Sequence, residues 1–267
     1  MTRYLEVVRS FARKDFLIAW SYRGTFIVGA IGTFYQLLIF RFVSKLIGGG
    51  KLIGTPDEYF RFVVVGIILT GVLRAATSAA AANARRDQVE GTLEVLAAQP
   101  MPVALLALGW SAWPVCEALV DGLLTLVIAI PLGFTQVSPN WVPLVASLLL
   151  SVLVFLAIGF AAAAVVVASQ QGGQLPALIA AGLTLLSGAF FPLAVFPAWL
   201  RTIADLSPLT YALRALRAST LPGSGSAGVV HDLAIVGGSA VLLLPLSVLC
   251  LTLALQRART TGRLASF

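Results

Sequence analysis

The chain has 267 residues, of which 59% are hydrophobic and only 11% charged, with a formal net charge of +7. Its mean hydropathy is +0.96. A soluble domain carries roughly 25% charged residues, so this composition argues against a soluble enzyme and for a polytopic membrane protein, all-α, with about 20 residues per span. In so apolar a chain the basic excess serves topology rather than nucleic acid.

Residues 3–20 place Leu5, Val8, Ala12, Phe16 and Ala19 on one helical stripe and Arg3, Glu6, Ser10, Arg13 and Lys14 opposite. An amphipathic helix over residues 1–23 is expected, either at the membrane interface or packed on a partner. No apolar h-region with a cleavage site follows the start, so a cleavable signal peptide is not expected. Six apolar runs follow, at 25–46, 59–82, 103–132, 141–168, 175–193 and 230–255. Read as six transmembrane helices, they form one domain over 24–256 and leave a tail at 257–267. The run at 103–132 contains Pro114 and Pro131 and is expected to tilt, kink or end early. With both termini cytoplasmic, Arg3, Arg9, Arg13, Lys14, Arg23, Arg85, Arg86, Arg257, Arg259 and Arg263 fall inside, and fewer basic residues outside. That bias favours an ends-in orientation.

Residues 83–102 connect the second and third runs. As a helix over 84–99, they would place Val89, Leu93 and Leu96 on one face and Asp87, Glu90 and Glu94 on another. Pro100 and Pro102 would stop it. The stretch reads either as a docking ridge for another protein or as a solvated hairpin. The segment 190–219 is broken by Pro192, Pro197 and Pro208, with Trp199 and Tyr211 suited to interfacial depth. It reads either as an outer re-entrant segment, which needs protein or a wet cavity around its backbone, or as an ordinary outer loop.

Single charged residues lie inside the apolar stretches. Glu117 and Asp121 are i and i+4 on the third run. Asp121 is about 28 Å from the cytoplasmic end of its helix and Arg41 about 25 Å up the first, so an Arg41–Asp121 pair is feasible in depth, with Arg61 or Arg74 as other candidates. Such acids serve either bundle pairing or a polar wall of a transport path.

Other signals carry little. Gly223, Gly225 and Gly228 satisfy G-x-G-x-x-G without a preceding strand, which argues against a dinucleotide site. Gly48–Lys51 lacks the spacing of a phosphate loop, so no ATP site is expected in this chain. Cys116 and Cys250 have no metal-ligand or disulfide spacing, and no catalytic residue or metal site is expected. His231 beside Asp232 has no nucleophile motif near it.

Two patterns are recognisable. Glu90-Gly91-Thr92-Leu93-Glu94, then Leu96 and Pro100, resembles the coupling-helix region of membrane subunits of type-2 ATP-binding-cassette (ABC) exporters. Gly188 through Leu200, with Pro192, Pro197 and Trp199, followed by Ser207-Pro208-Leu209-Thr210-Tyr211-Ala212 and Arg217, is similar to that family's outer region before the last span. The resemblance implies a non-catalytic permease subunit of an exporter in the plasma membrane, moving a drug, lipid or glycan. It implies two copies of a cytoplasmic ATPase, which would hold ATP and magnesium, and a second permease, identical or not. It assigns coupling to Arg86, Asp87, Glu90, Gly91, Thr92, Leu93, Glu94 and Leu96. The competing reading is an ion-coupled secondary transporter using Glu117 and Asp121.

Overall fold

A computed structural model describes residues 13, 16–17, 23–47, 55–99, 101–135, 139–169, 174–220 and 226–260. Among these the chain is helical, without strands. The helices are α1 (Arg23–Ile47), α2 (Pro56–Val89), α3 (Thr92–Ala98), α4 (Val103–Ala129), α5 (Trp141–Ser169), α6 (Leu175–Leu186), α7 (Ala198–Asp205), α8 (Pro208–Thr220) and α9 (Ser226–Thr260), with a 3-10 turn at Leu193–Val195 before α7. The expected N-terminal helix falls almost wholly outside the described residues. Of it, Arg13, Phe16 and Leu17 are helical, and the Phe16 ring meets Trp113 of α4 edge-on at 5.1 Å. The expected tail at 257–267 begins as the last turn of α9; residues 261–267 lie outside the description.

Five helices (α1, α2, α4, α5 and α9) are long and apolar enough to cross a bilayer. The sixth expected span is shorter than its apolar run. α6 has 12 residues, about 18 Å of helix against roughly 30 Å of hydrocarbon. It stops at Ser187 because Gly188 turns the backbone left-handed, with φ 71°, a conformation that glycine adopts without steric cost. Pro192 then prevents resumption. The chain continues through α7 into α8, which packs against α2.

α2 and α5 form the centre of the bundle. Two-thirds of the apolar window of each is buried inside the chain, against 6% for α1. Their close approach rests on small residues. A Cβ at Gly159 of α5 would stand 2.2 Å from the Ala76 carbonyl oxygen of α2, and Ala80, Ala163 and Val167 continue the buried seam. Where lipid tails remove any gain from burying apolar surface, such packing holds helices together. Tyr59, Phe60, Leu69, Leu73, Phe155 and Phe160 fill the rest of the core. Val241 and Leu242 of α9, with Leu123 and Val127 of α4, face outward.

α2 is the longest central element. Its start is set by a capping box: the Glu58 N–H donates to Thr55 Oγ1 and the Thr55 N–H to Glu58 Oε2, with Pro56 at the first turn. Its 34 residues make about 51 Å of helix. Roughly 20 Å therefore extends past a 30 Å hydrocarbon layer.

Candidate functional site

At the end of α2 opposite the capping box the chain makes an elbow. Gly91, with φ 72°, breaks the helix between Val89 and Thr92, so α2 and α3 are two helices rather than the single helix expected over 84–99. The expected common face of Val89, Leu93 and Leu96 does not form. Leu93 is fully buried, Leu96 is half-buried, and Val89 is exposed. Asp87 does not join an acidic flank either. It is buried, accepting from Trp110 Nε1 of α4 at 2.8 Å and from Thr92 Oγ1 at 3.1 Å. Its carboxylate thus ties both sides of the elbow to α4.

Two further bonds continue this clamp. Asn83 Nδ2 donates to the Trp110 carbonyl at 2.7 Å, and Gln88 Nε2 to the Val167 carbonyl of α5 at 3.3 Å. The end of α2 is thereby pinned to α4 and α5. What the elbow leaves outside is Arg86, Val89, Glu90, Gly91, Thr92, Glu94 and Val95, with Arg86 and Glu90 paired at 3.4 Å. Val95, 64% exposed, is the outer apolar residue of α3; the residue pattern had pointed to Leu93 instead. Along the last turns of α2 a groove of about 450 Å³ runs between Ala82, Arg85, Arg86, Val89 and Pro176.

At the other end of the bundle the segment after α6 is held by Arg217 of α8. Its guanidinium donates to the carbonyls of Gly188, Ala189 and Phe62 at 2.9–3.2 Å and lies 3.4 Å from the centre of the Phe62 ring. This one side chain satisfies the Gly188 and Ala189 carbonyls that follow the broken helix and joins them to the Phe62 carbonyl of α2. Tyr59 adds a bond to the Phe190 carbonyl at 3.1 Å, and Phe190 stacks on Phe40. Gly66 lets the Ala189 backbone approach, since a Cβ there would be 2.2 Å from its oxygen. Pro192 is half-buried before the 3-10 turn, Pro197 and Pro208 start α7 and α8, and Trp199 is exposed on α7. Tyr211 bonds the Asp205 carbonyl at 2.8 Å and carries Arg214 over its ring. Arg214 in turn reaches Asp232 at 2.8 Å. The residue pattern contained Arg217, but its role as a clasp depended on which carbonyls the Gly188 turn frees.

The Arg41–Asp121 pair that helix heights allow does not form. Arg41 binds Asp57 at 2.6 Å, at the start of α2. The depth estimate was compatible with Asp121, but Asp57 at the start of α2 stands within reach of Arg41 instead. Among the described residues, Arg74, Glu117 and Asp121 have no ion-pair partner. No group of histidine, cysteine and carboxylate side chains among the described residues is placed to hold a metal.

A sequence model described as ABC-2 type transporter matches residues 6–221. The chain belongs to the ABC-2 family. The ABC-2 relatives include Nodulation protein J of Sinorhizobium fredii (strain NBRC 101917 / NGR234), 25% identical over 192 residues covering 69% of this chain and 71% of the relative. Inner membrane transport permease YadH of Escherichia coli (strain K12) is 25% identical over 175 residues, covering 63% and 68%. Nodulation protein J of Rhizobium meliloti (strain 1021) is 25% identical over 213 residues, covering 77% and 78%. Both the elbow and the segment clasped by Arg217 fall within the ABC-2 match. The chain is a multi-pass membrane protein of an ABC-transporter permease family.

Proposed function

We propose that this chain is the export permease of an ABC transporter whose ATP hydrolysis, with magnesium, takes place in two copies of a separate cytoplasmic ATPase. A second permease, identical or not, completes the path, and both termini lie on the cytoplasmic side of the plasma membrane. The cargo is an amphiphile of drug, lipid or glycan class. The observation that carries the reading is the elbow. It exposes Arg86, Val89, Glu90, Glu94 and Val95 while its buried side is bonded to α4 and α5 through Asp87, Asn83 and Gln88. A push on that outer face is thereby passed to three spans at once. Arg86, Glu90 and Glu94 supply charge complementarity, Val89 and Val95 apolar contact, and the groove beside Pro176 a recess for the partner. Asp87, Leu93 and Leu96 shape the elbow from within, and Gly91 and Thr92 form its exposed bend.

Copurification tests the partnership: the tagged chain is expected to bring down an ABC ATPase, and transport in vesicles is expected to stop without ATP. Transport that continues without ATP and collapses with the proton gradient would instead support ion coupling through Glu117 and Asp121.

A further inference from the structure

Arg74 of α2 and Asp121 of α4 face one open cavity of about 290 Å³ between α1, α2 and α4, whose wall also carries Thr33, Gln36, Ser78 and Thr125. Two hydroxyls of that wall already donate to backbone: Thr125 Oγ1 to the Asp121 carbonyl at 2.7 Å, and Ser78 Oγ to the Arg74 carbonyl. They therefore offer lone pairs, while Gln36 offers both donor and acceptor. Neither charged group is ion-paired among the described residues. Charges at membrane depth face a cavity or a partner, and mark sites.

The register of α2 on α4 fixes their relative height. Asn83 meets Trp110, and a Cβ at Gly122 would meet Ile68 at 3.0 Å. Asp121 therefore stands opposite the Ile68 turn, and Arg74 lies roughly 8 Å nearer the elbow. Arg74 is about 26 Å along α2 from Asp57, close to the far edge of a 30 Å hydrocarbon layer. Glu117 sits one turn from Asp121, toward the elbow. The cavity thus presents a cation roughly 8 Å nearer the elbow than its anion.

A purely anionic ligand would meet Asp121 and a purely cationic one Arg74, while an uncharged ligand would leave both charges uncompensated. We propose that this cavity binds a zwitterionic amphiphile from the bilayer, its anionic group on Arg74 and its ammonium on Asp121. The site does not depend on ATP coupling, so its failure would leave the permease reading standing.

The test uses the full-length chain in detergent and three single-chain probes: lysophosphatidylethanolamine (zwitterionic), dodecyl phosphate (anionic) and dodecyltrimethylammonium (cationic). The zwitterion is expected to bind at least tenfold tighter than either of the others. Arg74→Gln should shift the preference to the cationic probe, and Asp121→Asn to the anionic one. Gly71 lines the cavity with open space at its Cβ position, so Gly71→Leu should fold and lose all three. Equal affinities for the probes, or full zwitterion binding by folded Gly71→Leu, would overturn the site; that second arm holds even where a charge variant does not fold. With the ATPase and ATP added, release marks the amphiphile as cargo and retention marks a resident lipid, and both uphold the site.

Discussion

Asp87 accepts hydrogen bonds from a buried indole and from a hydroxyl across the Gly91 break. Removing it strands the Trp110 N–H, which costs about 1–3 kcal/mol. Asp87→Ala is expected to lower the unfolding midpoint of the solubilised chain by about 5 °C, and Asp87→Asn by less, because one acceptor oxygen remains. Arg41 gives the opposite expectation. Its pair with Asp57 is open to water on the Asp57 side, and exposed pairs contribute about 0–1 kcal/mol. Arg41→Gln should leave the midpoint within about 2 °C in the same measurement. A drop as large as that of Asp87→Ala would mean that Arg41 serves a buried partner. The residue pattern placed Arg41 on the correct helix and Asp87 on a separate helix over 84–99, whereas Asp87 belongs to the end of α2. It missed their partners because helix position fixes height along the axis but not which neighbour the side chain faces.

At the scale of elements, the long apolar runs became helices close to where hydropathy places them, since nothing but a helix satisfies its own backbone in hydrocarbon. Two breaks were hidden in otherwise helical patterns. Gly91 follows a helical Glu90, and Gly188 follows an apolar turn; in both, one residue with positive φ ends the helix. A glycine tolerated inside a helix and a glycine that ends one look alike without the tertiary contacts that select the left-handed turn. At Gly91 the Cβ position is open, so the conformation alone resists substitution. Gly91→Ala costs roughly 1–2 kcal/mol in that conformation. It is expected to reorient α3 and reduce ATP-driven transport several-fold, with monodisperse protein still recovered. Gly159→Leu is a packing change: its side chain would collide with the Ala76 backbone. Size-exclusion chromatography is expected to show aggregation or loss of the folded peak.

For the whole molecule, the elbow and the clasped outer segment are attached to the same helix. α2 carries the Asp87 clamp at one end and receives Arg217 on the Phe62 carbonyl near the other. Displacement of the elbow therefore reaches the opposite end of the bundle through a single rigid rod. On the proposed reading, the coupling surface is the part of the elbow that faces away from the bundle. Leu93, fully buried, is a folding residue by this criterion: Leu93→Asp should fail to fold, whereas Val95→Asp should fold and uncouple. The measurement that tests this most directly is crosslinking of Val95→Cys to the copurified ATPase, after the exposed native thiols Cys116 and Cys250 are replaced by serine. A Val95→Cys adduct with the ATPase, absent for Val241→Cys on the exposed middle of α9, is the predicted result. Equal or no crosslinking at the two positions, with the complex intact, would contradict the account.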